Sequence, residues 1–198
     1  MMERPARVGR GIPAVLAILC LSASAPRPPI GSVVSPTSAE ALDGAVFALP
    51  DALRGRSATA FVFLSTICPY SNAFNDRLRD LAASFEARGA SLVGVYPNRT
   101  ESAEEIGAHA RRFSHSFLLL RDPQGRLALA LGASRTPEAV VVDQAGRIRY
   151  RGRIESKLGV PDLARALESV LAAREVRPAE TKAFGCSIDG FRDTEAPR

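Results

Sequence analysis

The chain has 198 residues, 46% of them hydrophobic and 24% charged, a balance that gives one ordinary domain a real core and leaves chain for extensions. Of the formal net charge of +5, +2 falls in the first 25 residues and the rest is spread through mixed-sign segments, so no basic stripe marks a nucleic-acid partner. Tryptophan is absent and aromatics make up only 6%, which also argues against base-stacking platforms.

In chain order, Arg4, Arg7 and Arg10 precede an apolar stretch over residues 12–21, and the small residues Ser22-Ala23-Ser24-Ala25 follow. That order predicts a secretory signal peptide over residues 1–25, with small residues at both required places for a cut after Ser24 whereas a cut after Ala25 is disfavoured by Pro26, and hence a periplasmic or otherwise extracytoplasmic bacterial protein. The apolar part is short for a bilayer span, and the membrane is met only through this segment if it stays uncleaved. Cys20 lies inside it and leaves with it, which reserves Cys68 and Cys186 for the mature chain. An even count in an exported protein is compatible with a disulfide, either structural or catalytic.

Residues 26–42, rich in Pro, Ser and Ala, read as a flexible lead-in, and a folded domain is expected over residues 43–175. A short strand is predicted over residues 45–49 and a central strand over 60–64. One amphipathic helix over 69–88 carries Phe74, Leu78, Leu81, Ala82 and Phe85 at three- and four-residue steps. Residues 91–96 form an unbroken apolar run, as in a strand covered on both faces. A helix over 101–113 has Ser102 as N-cap with Glu105 three residues on, followed by a strand over 117–120 and a short helix over 126–131. Residues 138–143 and 148–152 flank a glycine-containing loop and predict a hairpin; the last helix spans about 160–174. Strands alternating with helices, then a late hairpin, predict an α/β fold with a central mixed sheet flanked by helices. Residues 176–198 form a tail carrying Cys186.

Cys68 closes the central strand and Pro69 follows at once, so the cysteine falls at a helix N-cap with proline at N1. There, unpaired backbone N–H groups and the helix dipole favour thiolate, the nucleophilic form; the plainer alternative is a small buried core residue. His109 and His115 read as surface or packing residues. Arg111-Arg112 and Arg151-Gly152-Arg153 read as solvated edges, and Asp76, Arg77 and Asp80 as an exposed helix face. Two cysteines and two distant histidines make no zinc pattern, and no metal site or cofactor is expected.

These motifs together resemble the thioredoxin superfamily, in particular the redoxin branch that includes the alkyl hydroperoxide reductase and thiol-specific antioxidant proteins. The likeness covers roughly residues 40–175 and rests on Cys68-Pro69-Tyr70-Ser71, Thr136-Pro137-Glu138, Val142-Asp143 and residues 146–152. With Gly185-Cys186, the chain also resembles a bacterial subgroup of exported redoxin-domain proteins. The resemblance implies a thioredoxin-like fold and a thiol oxidoreductase, with Cys68 as nucleophile. Ser71 stands where thioredoxins have their second cysteine, and Pro137 matches the cis-proline, whose preceding backbone (Thr136 here) pairs with a substrate strand. Of the peroxiredoxin pattern, Ser65 fits the hydroxyl place and Arg135 lies near where the arginine comes from, but Phe61 occupies the proline place. Val62 replaces the buried acid of many thioredoxins. Expected partners are a thiol or disulfide protein, or a peroxide, with a separate reductant. Cys186 would act as the resolving thiol, or as a permanent staple worth on the order of 4–5 kcal/mol. Disulfide exchange, peroxide reduction and a non-catalytic partner- or copper(I)-binding domain stay open.

Overall fold

The computed structural model describes residues 27–188. The expected export segment and the last ten residues of the tail lie outside the described residues. Among those described, the strands are β1 (Ser38–Ala41), β2 (Val46–Ala48), β3 (Ala58–Phe63), β4 (Ala90–Tyr96), β5 (Leu118–Arg121), β6 (Arg135–Thr136), β7 (Glu138–Asp143), β8 (Ile148–Gly152) and β9 (Cys186–Ser187). The helices are α1 (Leu49–Leu53), α2 (Pro69–Asn72), α3 (Asn75–Glu86), α4 (Ala103–Phe113), α5 (Arg126–Leu131) and α6 (Asp162–Leu171). No helix among them is long and apolar enough to cross a membrane.

Seven strands form one mixed sheet in the order β2-β1-β5-β4-β3-β7-β8. The β3–β4 and β4–β5 pairs are parallel, and β3–β7 and β7–β8 are antiparallel. Strand β3 is buried at every position, and its two faces feed two cores. Ala60 and Val62 join Leu78, Ala82 and Phe85 of α3, Ile106 of α4 and the inward face of α6. Phe61 and Phe63 point the other way, into a core with Leu49 of α1 and Leu127 and Leu131 of α5. Helices therefore cover both faces. In α6, Leu163, Ala166, Leu167 and Val170 are buried at helical spacing. Leu163 and Leu167, both buried, each contribute roughly 1.5–3 kcal/mol of burial.

The α4 N-terminus forms as expected, with a full capping box between Ser102 and Glu105. Three expectations need correction. The helix expected over 69–88 is two helices, because the chain turns at Ala73 and Phe74, and Ser71 O rather than a fourth-neighbour carbonyl takes the Phe74 N–H. The lead-in is ordered over its described part: β1 joins the sheet between β2 and β5, and residues 31–34 lie along β8 through Gly31 N to Ile148 O and Ile148 N to Ser32 O. Arg151 is no solvated edge; it is 3% exposed. Its guanidinium donates to the Pro28 and Leu131 carbonyls and to Glu180, which satisfies the charge without water.

The tail also packs. Arg151 N donates to Ala179 O and Thr181 N to Arg151 O, so the tail first runs along β8. Gly152 makes this possible, since a Cβ there would stand 2.4 Å from the Thr181 carbonyl oxygen. The chain then crosses to β6, where β9 pairs antiparallel with Arg135↔Ser187 and Thr136↔Cys186. Ile188, 1% exposed, is sunk in the second core.

Candidate active site

Cys68 is the N-cap of α2, with Pro69 at the first helical position. It is only 2% exposed, whereas Cys186 is exposed. Both are free cysteines, and their Sγ atoms lie 2.7 Å apart. The thiol of Cys68 also reaches the Thr136 carbonyl at 3.1 Å. The Thr136-Pro137 peptide bond is cis. Residues far apart in sequence thus meet at one point: the end of β3, the turn before β7, and the tail.

Two groups hold the Cys68 loop from beneath. Ser71, fully buried, takes the Ser65 N–H on its hydroxyl at 3.1 Å, so the residue at the second-cysteine position clasps the loop. Glu101, 3% exposed, accepts through one carboxylate oxygen from Ser65 Oγ (3.1 Å), Thr66 Oγ1 (2.6 Å) and the Thr66 N–H. Its other oxygen accepts from Asn98 at 2.9 Å. A third support comes from Asn72, which donates to Thr66 O at 2.9 Å and meets His109 Nε2 at 2.8 Å. The sequence reading missed Glu101 and Asn72. Glu101 sits just ahead of the Ser102 cap and outside any periodic pattern, so nothing local marks it.

Arg135 donates to the Gly185 carbonyl at 3.2 Å, and this bond fastens the tail against β6. On the same turn, buried Glu138 accepts from the N–H groups of Ser134 (2.7 Å) and Arg135 (3.1 Å) and pairs with Arg27. The expected site residues Ser65, Cys68, Pro69, Ser71, Arg135, Thr136, Pro137 and Cys186 all lie on these three converging segments.

Burial alone favours a neutral Cys68 thiol. It is outweighed by the hydrogen bond with the Cys186 side chain and by backbone N–H groups at Ser71 and Cys186, so the Cys68 thiol is held below the ordinary value. The Thr136 hydroxyl is the weakest helper, being buried without a hydrogen bond of ordinary geometry, while the Thr136 carbonyl opposes ionisation. The hydrogen bond with Cys68, burial and the neighbouring charge push Cys186 up to about 11. The two thiols are coupled, and Cys68 is the one that ionises first.

Behind the loop, His109 and His115 pack edge to face, 5.6 Å apart, and His115 stacks on Phe117. Burial and then the Arg112 charge lower the His109 value, and burial, His109 and Arg79 bring His115 down to about 4. The unfolded chain binds protons at both histidines near pH 6.5 and the folded chain does not, so stability falls as pH drops from about 6.5 toward 4. Urea melts across that window are expected to show this loss, and His115→Phe, which keeps the stacking, is expected to reduce it.

The profile of the AhpC/TSA family matches residues 30–151. The chain belongs to this family. No curated protein sequence matches the chain. Among solved structures it is similar to a hypothetical protein of Sinorhizobium meliloti (TM-score 0.74, 23% identity, covering 81% of this chain and 94% of that one). It is also similar to a peroxidoxin of Mycobacterium tuberculosis (0.60, 21%, 73% and 97%). A third is a secreted disulfide oxidoreductase of the same organism, described as homologous to Escherichia coli DsbE (0.54, 20%, 69% and 95%). These solved structures share the thioredoxin-like fold with this chain, and membership of the AhpC/TSA family supports a redox role at the level of the family.

Proposed function

We propose that this AhpC/TSA protein is an extracytoplasmic thiol–disulfide oxidoreductase with Cys68 as nucleophile and Cys186 as its disulfide partner. The observation that carries the reading is the meeting of two thiols 118 residues apart, at 2.7 Å, beside the turn that precedes Pro137. In the forward step the Cys68 thiolate attacks one sulfur of a substrate disulfide and the other sulfur leaves as thiolate. Cys186 then attacks Cys68 Sγ and releases the second substrate thiol. The substrate gains two electrons, the protein becomes the Cys68–Cys186 disulfide, and a separate thiol reductant resets it.

The engagements of Ser65 and Arg135 favour disulfide over peroxide as substrate. The Ser65 hydroxyl proton is given to Glu101 and the Arg135 guanidinium holds Gly185 O, so the two side chains that would polarise a peroxide have other partners. Exposed Ile67, Tyr70 and Phe184 are chain neighbours of the two cysteines and offer apolar surface to a protein partner. The N-terminal pattern of arginines, apolar run and small residues supports export, as does the fold shared with a secreted oxidoreductase. In an insulin-reduction assay with dithiothreitol, Cys68→Ser is expected to lower turnover at least about a hundredfold, since it removes the nucleophile. Turnover within twofold of the parent protein would overturn the proposal.

A further inference from the structure

Cys68 is braced by bonds that span it in sequence. The Ser65 N–H goes to Ser71 Oγ, and the Asn72 amide reaches back to the Thr66 carbonyl, so chain on both sides of the nucleophile is tied together. Thr66 is held at every polar atom, because Glu101 takes its N–H and its hydroxyl proton. The strap from Asn72 forms in one orientation only. Turned over, its amide oxygen would face the Thr66 carbonyl oxygen and its NH2 group would face the Asn75 NH2 group, acceptor against acceptor and donor against donor. With Asn72 Oδ1 fixed as an acceptor, His109 Nε2 at 2.8 Å must carry the hydrogen. Nδ1 is then the accepting nitrogen, and the Tyr96 hydroxyl donates to it at 3.1 Å. Resting on the reading of Cys68 as nucleophile, we propose that His109 is a positioning residue: its Nε2–H fixes the Asn72 amide, which holds the loop and the first turn of α2 together around Cys68.

The hydrogen bonds run one way, from the Tyr96 hydroxyl to His109, from His109 to Asn72 and from Asn72 to the Thr66 carbonyl. They begin on the central strand β4 and end two residues ahead of the nucleophile. Tyr96 and His109 are both buried, so water does not stand in readily for a lost partner. Helix α4 thereby braces the loop twice, through Glu101 just ahead of its cap and through His109 about two turns further on. The strap bears on chemistry because the Ser71 N–H, in the first turn of α2, is one of the groups that lower the Cys68 thiol. If α2 swings away from Thr66, that N–H moves off the sulfur. The second histidine is placed differently. His115 Nε2 meets Asn75 Oδ1 at 3.1 Å, and so enters the cluster through Asn75 rather than through the amide that grips the loop.

The pH profile of Cys68 alkylation tests this in the reduced full chain, read by peptide mapping after short pulses of iodoacetamide. The plateau rate reports access to the sulfur, and the midpoint reports its ionisation. His109→Phe, which keeps a ring but deletes both nitrogens, is expected to raise the midpoint by at least about half a pH unit. Asn72→Ala is expected to raise it as much, and the double variant no further than the larger of the two, since both cut one strap. His109→Gln restores an N–H at the Nε2 place and is expected to return the midpoint to within about 0.2 pH unit of the parent. His115→Phe is the control for general loosening of the cluster and is expected to leave the midpoint in place. A midpoint unmoved by His109→Phe or by Asn72→Ala, additive shifts in the double variant, no rescue by His109→Gln, or an equal shift in His115→Phe would each overturn the positioning role and leave the nucleophile reading standing. A parent midpoint for Cys68 no lower than that of Cys186 would overturn both.

Discussion

Gly185→Ala is expected to slow closure of the Cys68–Cys186 crosslink at least about tenfold. The added Cβ would lie 2.0 Å from the Thr136 carbonyl oxygen and 2.6 Å from its carbon, both backbone atoms that no rotamer change can move aside. The residue also sits at φ +157, a conformation that side-chain-bearing residues rarely adopt. Relief requires β9 to lift off β6, which loses the Thr136↔Cys186 pairing and the Arg135 bond to the residue 185 carbonyl. Pre-positioning of the two sulfurs is lost with it, so an encounter that is now built in becomes a loop search. Quenched alkylation followed by mass spectrometry reads the closure rate after a pulse of oxidant. Ser187→Ala, an exposed change one residue past Cys186, is the control and is expected to stay within about twofold.

Glu101→Ala is expected to cost about 3–5 kcal/mol of stability, a fall in Tm on the order of 10 °C, and to speed alkylation of Cys68. Removing the carboxylate strands Ser65 Oγ, Thr66 N–H, Thr66 Oγ1 and the Asn98 amide together, and leaves Ser71 and Asn72 to hold the loop. Each buried donor left without an acceptor costs roughly 1–3 kcal/mol, and the loop relieves part of that by opening to water. Glu101→Gln keeps an acceptor oxygen for the Ser65 and Thr66 donors but turns an amide toward Asn98, and it is expected to lose less. Thermal melts in parallel with iodoacetamide labelling check both statements. A Glu101→Ala protein with unchanged Tm would show that the carboxylate does not hold the loop.

Much of the architecture was legible because β3, β4 and β7 are unbroken apolar runs, which only a sheet covered on both faces buries. The Ser102–Glu105 cap was legible for a local reason, since its two hydrogen bonds close within three residues. Strand β1 was not legible: Ser-Ala-Glu-Ala has little strand preference, and it pairs because β2 and β5 supply the other halves of its ladders. The break after Asn72 was hidden for a similar reason, because Phe74, Leu78 and Phe85 keep helical spacing across it. Arg151 looked solvated beside Gly152 and Arg153, and only the convergence of Pro28, Leu131 and Glu180 explains its burial. At the site, Cys68, Pro69 and Thr136-Pro137 announce themselves by residue type. Glu101 and Asn72 act through contacts with chain that is distant in sequence or across a turn, and residue type alone cannot reveal them.

The most direct test of the central claim is the equilibrium of the Cys68–Cys186 pair in glutathione buffers of graded ratio, read by acid-quenched alkylation and mass spectrometry. The account predicts a reversible transition between dithiol and disulfide, reached from both directions and abolished by Cys68→Ser. A pair that stays crosslinked through the most reducing buffer would be a permanent staple, and one that never crosslinks in the most oxidising buffer would be two unpaired thiols. Either result would contradict a redox-active centre.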